Sequence, residues 1–338
     1  MKPAFRVLMN GVDVMGRIQT RVISLTISDA AGTNADTLRL ELDDHGNHIA
    51  EPPDGTLIHV ALGYEGRPLL PMGTFILDEV TYEIAPDRMI LSAKAAQFGG
   101  TLKDQKTRNW DGHTNEQIVQ AIAEDHQLTP KIADHLKPIK HEYLAQRAES
   151  DINFLNRIGQ DQDAIVSVKE LPDKGHALLF LGKGEGKTTS GATLPQTTVY
   201  KSQLMPGSRV TKNKATLYKS VKAIWHDKKI GEKKAVTAGE GAPVFEITHP
   251  YKSEGSAKRA AHAKLDEEAR TGHSVSLNLI GNPALRAEGQ LRVIGLRQNI
   301  PSTWSITNVT HRLNAGGYTT QIQGELPKSE VQDETKNF

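Results

Sequence analysis

The chain contains no cysteine. Disulfide stapling, thiol catalysis and thiolate metal sites are therefore excluded, and the fold must be held by packing alone. No apolar run approaches the ~20 residues that span a bilayer. The opening stretch, residues 1–11 (MKPAFRVLMNG), lacks the long apolar core of a secretory signal. Synthesis and folding in a cytoplasm, with no membrane insertion, are the expectation. Charge of one sign is missing too: 41 Lys and Arg stand against 40 Asp and Glu, so no global field advertises a nucleic acid or a membrane as partner. With 338 residues the chain can bury more than one core, and about 100–200 residues per domain implies two or three domains.

What is present is a strand pattern that occurs twice. Residues 75–82 read FILDEVTY and residues 304–311 read WSITNVTH. Each copy follows a Gly-led strand (55–62 and 289–296) and runs through a short turn into another alternating strand (89–95 and 318–324). Alternation alone makes any two half-buried strands look alike; the shared order of elements around both copies is what makes the match informative. It implies two versions of one β-domain, a plan suited to building a ring rather than to housing a reaction.

Residues 1–100 read as strands. Leu38, Leu40 and Leu42 alternate with Arg39 and Glu41, and Val80, Tyr82 and Ile84 alternate with Thr81 and Glu83, the two-residue period of a half-buried sheet. Turns are marked by DDHG (43–46), PPDG (52–55) and APD (85–87). After Gly100 the period becomes helical, and residues 101–195 read as a small α/β module. Thr114 and Gln117 form a capping box ahead of Ile118, Ala121 and Ile122. A second helix starts at Ser150 and carries Ile152, Leu155 and Ile158; strands follow at 165–169 and 177–181. The Gly/Thr-rich stretch 182–198 is expected to be a mobile loop. Residues 196–327 return to strands, around Val221, Ala223 and Trp225, then 244–248, then Val275, Leu277 and Leu279. One helix, 254–270, interrupts them. Its Ala257, Ala260, Ala261, Leu265 and Ala269 would let it lie close against a sheet or a neighbouring subunit. Residues 328–338 are polar and expected to form a flexible tail.

Motifs for chemistry are weak. GKGEGKT (182–188) follows an apolar strand but has three residues where a phosphate-binding loop has four before its Gly-Lys-Thr, and the following TSGATLP is a poor helix start. His45 and His48, beside Asp43 and Asp44, lie in a Gly-Asn turn without the helix or thiolates of a metal site. No Gly-x-Ser-x-Gly elbow occurs. A carboxylate pair for glycoside hydrolysis leaves no sequence signature and stays open. Tyr218 and Trp225, among lysines, could stack on bases, yet Val221, Ala223 and Trp225 share one strand face, which reads more simply as core. No catalytic, cofactor or metal residue is assigned.

The chain resembles the phage late control gene D family, the tail hubs of contractile-tail phages and tailocins, and is similar to the N-terminal hub part of type VI secretion VgrG spike proteins. The resemblance rests on DTLRLELDD (36–44), Gly63-Tyr64, MGTFILDEV (72–80), WDGHT (110–114) leading into 118–126, ESDINFL (149–155), the Ala-rich helix around 257–265 and WSITNVTH (304–311). It covers about residues 5–327, and no one motif is diagnostic alone. It implies a mainly β fold with an α+β insertion: two tube-like β-barrel domains, at 1–100 and 196–327, with the α/β domain between them. Three subunits would then form a pseudo-sixfold ring that adapts the sixfold tail tube to a threefold central spike. The implied function is structural, not enzymatic, in a virion tail baseplate or tailocin assembled in the host cytoplasm. The implied partners are the spike, tail tube, tape-measure and other baseplate proteins, with DNA only as cargo through the lumen. The VgrG proteins continue into a needle that these residues lack, so the spike is expected on a separate polypeptide.

Charge is unevenly spread along this plan. Residues 29–65 carry eight acids against Arg39, and residues 201–234 carry ten bases against Asp227 and Glu232. Such runs are commonly just solvated faces. The alternative is that Asp36, Asp43 and Asp44 of the first barrel face Lys212, Lys214, Lys219 and Lys222 of the second across subunit boundaries and steer a head-to-tail ring. Charge reversal at the four lysines is then expected to impair trimer formation, read by light scattering; unchanged assembly would reject the steering.

Overall fold

The computed structural model describes every residue except 33–34, 96–100, 171–174, 186–195, 214–217, 228–229 and 329–338. The first stretch runs β1 (Pro3–Met9), β2 (Val12–Asp13), the short helix α1 (Met15–Ile18), β3 (Val22–Ala30), β4 (Thr37–Asp43), β5 (Leu57–Tyr64), β6 (Leu70–Ile84) and β7 (Asp87–Ala95). The predicted alternation holds in β4 but not in the outer half of β6, where Tyr82 and Ile84, expected on a buried face, are exposed within the chain. Leu38, Leu40 and Leu42 point into a core with Val7, Leu25, Ile27, Ile58, Val60, Leu62, Phe75 and Leu91, while Thr37, Arg39 and Asp43 face outward.

The middle stretch contains β8 (Gln105–Asn109), α2 (Asn115–Asp125), β9 (Thr129–Ile132), β10 (Ala145–Ser150), α3 (Asp151–Gln160), β11 (Ala164–Glu170) and β12 (His176–Gly182). Thr114 and Gln117 make the reciprocal capping box, and the Ser150 hydroxyl accepts from the Asn153 amide to start α3. Both helices press Ile118, Ile122, Ile152, Leu155 and Ile158 onto Val166, Val168, Leu178 and Phe180. The three strands of this module that the sequence does not announce, β8, β9 and β10, are short and polar; β9 adds parallel to β12, and β10 pairs with β8.

The third stretch departs from expectation. After β13 (Gln196–Tyr200) and β14 (Arg209–Lys212), the strands β15 (Ser220–Asp227), β16 (Glu232–Gly239) and β17 (Val244–Tyr251) form a separate three-stranded sheet. The helix α4 (Glu254–Thr271) covers it, with Ala257, Ala260 and Ala261 against Val221, Ala223, Ile247 and Tyr251. The residues around Val221 and 244–248, expected in the second barrel, thus belong to their own layer; small residues on α4 permit the close approach. The main sheet resumes with β18 (His273–Ile280), β19 (Gln290–Ile294), β20 (Thr303–Asn314) and β21 (Gly317–Glu325). Part of the expected mobile loop, residues 196–198, is paired strand in β13, which lies parallel to β19; residues 186–195 and 329–338 lie outside the described residues.

Pairing shows the repeat directly. The path β3-β4-β7-β6-β5 is matched by β14-β18-β21-β20-β19. The β6–β7 ladder slips between Leu77 and Glu79, and the β20–β21 ladder slips between Ile306 and Asn308. In the alignment of 75–82 with 304–311 these are the same positions, and a bulge is a built feature that re-aims a strand. The amide of Leu77 donates to the Thr56 carbonyl at 2.9 Å, and that of Ile306 to the Gly289 carbonyl at 2.9 Å. Thr56, rather than Gly55, is therefore the counterpart of Gly289, a one-residue correction that decides which side chains of β5 face inward.

Among the described residues the two copies do not close as separate barrels within the chain. Antiparallel pairing of β20 with β3, Asn308 opposite Ala30 through Asn314 opposite Ser24, joins them into one thirteen-stranded sheet whose path runs from β14 to β2. At the seam, His311 is fully buried, between the Tyr318 hydroxyl (2.9 Å) and Thr320 on Nδ1 and the Leu285 carbonyl (3.2 Å) on Nε2. Burial, with Arg286 nearby, lowers its pKa from 6.5 to about 4. The unfolded chain therefore takes up a proton there as pH falls below 6.5, and the folded chain does not until about 4. Stability is present in full above the upper value and is lost downward through this window, by about 3 kcal/mol at most from this group. In thermal melts from pH 7 to pH 4, His311→Gln is expected to show a shallower loss than the parent; an unchanged slope would contradict the assignment.

Candidate functional site: an assembly surface

The charged residues expected at an interface fall into different environments. Asp36 ends the β3–β4 connection and is held inside its own chain. Its Oδ1 accepts from the Ala30 amide (3.1 Å) and its Oδ2 lies 3.8 Å from Lys169 Nζ on β11. Asp29 joins it, with Oδ1 3.2 Å from Lys169 Nζ and Oδ2 accepting from the Ala287 amide at 3.1 Å. Glu288 closes the cluster by accepting from the Gly32 amide (3.2 Å). Burial raises the Asp36 carboxyl to about 6, opposed by Lys169 and reinforced by Asp29 and Glu288. Burial alone would depress Lys169, but these carboxylates outweigh it and hold the ammonium up.

Asp44 is buried at 3% exposure, where Oδ1 accepts from the Ile49 amide (2.9 Å), and Asp43 accepts from the His45 amide (3.0 Å). Both shape the turn after β4. His45 is exposed and His48 lies over Gly46 in the same turn. The basic stretch is divided between two elements. Lys212 sits on β14 at the end of the main sheet, whereas Lys219 precedes β15 and Lys222 on β15 pairs with Glu246 Oε1 at 3.2 Å; Lys214 lies outside the described residues. Trp225 is half-buried, packs against the separate sheet and has Lys234 Nζ 5.7 Å from its ring centroid.

A second clamp holds the middle module to the second repeat. Arg270, at the end of α4 and 1% exposed, donates through Nη1 to Asp163 Oδ2 at 2.7 Å and through Nη2 to Asp163 Oδ1 at 2.5 Å; its Nε lies 3.4 Å from Glu325 of β21. Gly184, with φ +65°, packs against Arg270 and the Lys328 amide, and the Lys183 amide donates to the Asp163 carbonyl. The described half of GKGEGKT is thus a packed turn and not a cradle; residues 186–188 lie outside the described residues. Between the module and both repeats runs a cleft of about 550 Å³ lined by Gly32, Gln160, Glu288, Asn308, Gln323 and Glu325. Its two carboxylates are already engaged, Glu288 by a backbone amide and Glu325 by Arg270.

The remaining feature is a pair of open strand edges. The outer half of β6, residues 79–84, pairs only with β7, and β14 pairs only with β18, among the described residues. Tyr82 and Ile84 stand out at 48% and 87% exposure. Unpaired edges with exposed apolar side chains are templates for another strand.

This geometry, two joined copies of a β-unit with open ends and engaged carboxylates, meets its counterpart in known proteins. The family described as "Phage tail baseplate hub (GPD)" matches residues 82–317. The chain belongs to the phage tail baseplate hub family. It is 34% identical to the "Probable baseplate hub protein" of Escherichia phage 186, over 98% of this chain and 95% of that one. To the protein of the same name in Escherichia phage P2 it is 32% identical, over 100% and 96%. Among solved structures, the fold resembles the 43 kDa tail protein of prophage MuSo2 from Shewanella oneidensis (TM-score 0.71, 10% identity, 97% of this chain and 99% of that one). It also resembles a type VI secretion system component of E. coli (TM-score 0.58, 14% identity, 96% and 77%). The protein is a structural baseplate hub of a phage tail.

Interface roles for Asp36 and Asp44 compete with the intrachain bonds just described. Lys169, Asp163 and Arg270 escaped sequence reading because their partners lie more than a hundred residues away. Removing Lys169 would leave two largely buried carboxylates facing each other, the costly half of a broken ion pair. Lys169→Met is expected to destabilise the hub by about 3 kcal/mol at pH 7, with a smaller deficit at pH 5, where Asp36 is protonated; denaturant titration at both pH values checks this.

Proposed function

We propose that this hub acts as a homotrimeric ring that carries the sixfold symmetry of the tail tube over to a threefold central spike. The observation that supports this most is the repeat with its shared bulge: three chains with two copies each supply six similar β-units. The copies differ where threefold character is needed. In the first, β3 passes to β4 through residues 31–36; in the second, β14 passes to β18 through 213–272, which include the β15–β17 sheet and α4. The sheet can thus repeat six times around an axis while the inserted layers repeat three times.

In this reading the hub seats the tape-measure protein, nucleates the tube, holds the spike and lets DNA pass through its lumen after contraction. It is assembled in the host cytoplasm, and other baseplate proteins pack around it. The engaged state of Glu288 and Glu325 supports a role without catalysis. The fold likeness to a secretion component supports a second reading, a hub at the base of a secretion-type spike, which shares the ring. Steering by Lys212 and its neighbours remains part of the proposal, with Lys212 the best placed of them at a sheet end.

Light scattering of the purified hub, alone and mixed with its spike protein, tests the ring. A species of three 37.0 kDa subunits in either condition is expected. A stable monomer in both would overturn the reading.

A further inference from the structure

The repeat specifies more than a ring; it specifies which strand edge meets which, and in what register. Within the chain, the outer half of β20 is covered by β3. Among the described residues its counterpart, the outer half of β6, is bare, and so is β14, the counterpart of β3. We infer that the edge Glu79–Ile84 of β6 pairs antiparallel with β14 of a second copy of this chain, reproducing the β20–β3 seam between subunits. This rests on the ring reading and deepens it.

The ladders fix the register. Val80 corresponds to Val309 and Leu91 to Ile322 across the matched bulges. Leu38 then corresponds to Val275 through β4–β7 and β18–β21, and Ile27 to Val210 through β3–β4 and β14–β18. The seam pairs Arg312 with Thr26, His311 with Ile27 and Thr310 with Ser28. Transposed, Glu83 faces Arg209, Tyr82 faces Val210, and Thr81 faces Thr211 of the neighbouring copy.

The chemistry of these positions agrees with the transposition. Glu83 and Arg209 are an opposite-charge cross-strand pair, and Tyr82 with Val210 is an aromatic against a β-branched residue, both favourable combinations. Tyr82 and Arg209 are exposed in the single chain. The outward direction of the backbone also fits. The Asn213 amide donates inward to the Gly272 carbonyl at 2.8 Å, so alternation turns the amides of Lys212 and Val210 to the open side. A second copy is the partner that fits, because each chain carries both complementary edges, one on β6 and one on β14, and a head-to-tail contact between unlike edges of identical subunits generates a ring when its rotation closes. The lumen sheet would then be closed by the assembly and not by either half of one chain.

Disulfide trapping tests the register in a chain that has no thiol of its own. The Ala31 amide donates to the Thr307 carbonyl (2.9 Å), which makes that pair hydrogen-bonded and, by alternation, Thr310–Ser28 non-hydrogen-bonded. Its image, Thr81–Thr211, is therefore a close pair of ~4.5 Å between Cα atoms, within disulfide reach. The full-length Thr81→Cys/Thr211→Cys hub, oxidised at the concentration where light scattering shows the trimer, is expected to convert from monomer to covalent trimer on non-reducing gels. Thr81→Cys/Val210→Cys, one residue out of register and on opposite faces, is expected to stay monomeric on the same gel. A trimer in solution whose Thr81/Thr211 thiols do not link, or link no better than the shifted pair, would overturn this pairing and leave the ring standing. A chain that never trimerises would remove both.

Discussion

The antiparallel pairing of β20 with β3 is the constraint on which the rest of this molecule depends. Without it the chain would hold two half-sheets, each with a bare edge and a core open at one side; with it, the last strands of the chain complete the environment of the first. Tyr318 of β21 packs into the core of the first repeat, and the Tyr64 hydroxyl donates to the Gly281 carbonyl at 2.7 Å across the seam. Residues some 280 positions apart are thereby made neighbours. Such long-range closure is slow to form, but once made it fixes the relative rotation of the two repeats, the quantity the proposed ring needs held constant.

The middle module is tied to this sheet differently, by buried charge. Lys169 reaches the first repeat through Asp29 and Asp36, and Asp163 is reached from the second by Arg270. Buried ion pairs contribute little net stability compared with apolar packing, yet are costly to break from one side. They suit a junction that must adopt one geometry. The two clamps tie the module to both repeats.

Much of this was legible in the sequence, and the limits have physical causes. The repeated FILDEVTY and WSITNVTH strands were readable because a half-buried strand must alternate, and the helix starts at Thr114 and Ser150 because capping needs particular side chains at fixed spacing. The β15–β17 layer was read as barrel because local alternation records burial on one face and not which sheet supplies that face. The one-residue displacement between Gly55 and Thr56 has the same origin: a leading glycine is a salient letter, but register is set by hydrogen bonds that the letters do not carry. The acids at 36, 43 and 44 looked like a solvated or interfacial run, since nothing local distinguishes a carboxylate that meets a lysine 133 positions later from one that meets water.

A duplicated unit also accounts for how one chain would satisfy the two symmetries of the proposed ring. If six identical subunits built the ring, every insertion would appear six times and a threefold spike would meet no matching surface. Joining two copies in one chain lets each drift separately, provided the strands that face one another keep their register. The residues conform to that division. The paired strands retain equivalent bulges at Asp78 and Thr307, while the connection leaving β3 is six residues and its counterpart leaving β14 holds a whole sheet and helix. Similarity is kept where strands must pair and lost where they need not, which is the distribution expected if sheet continuity, rather than any pocket or catalytic group, is what this fold maintains.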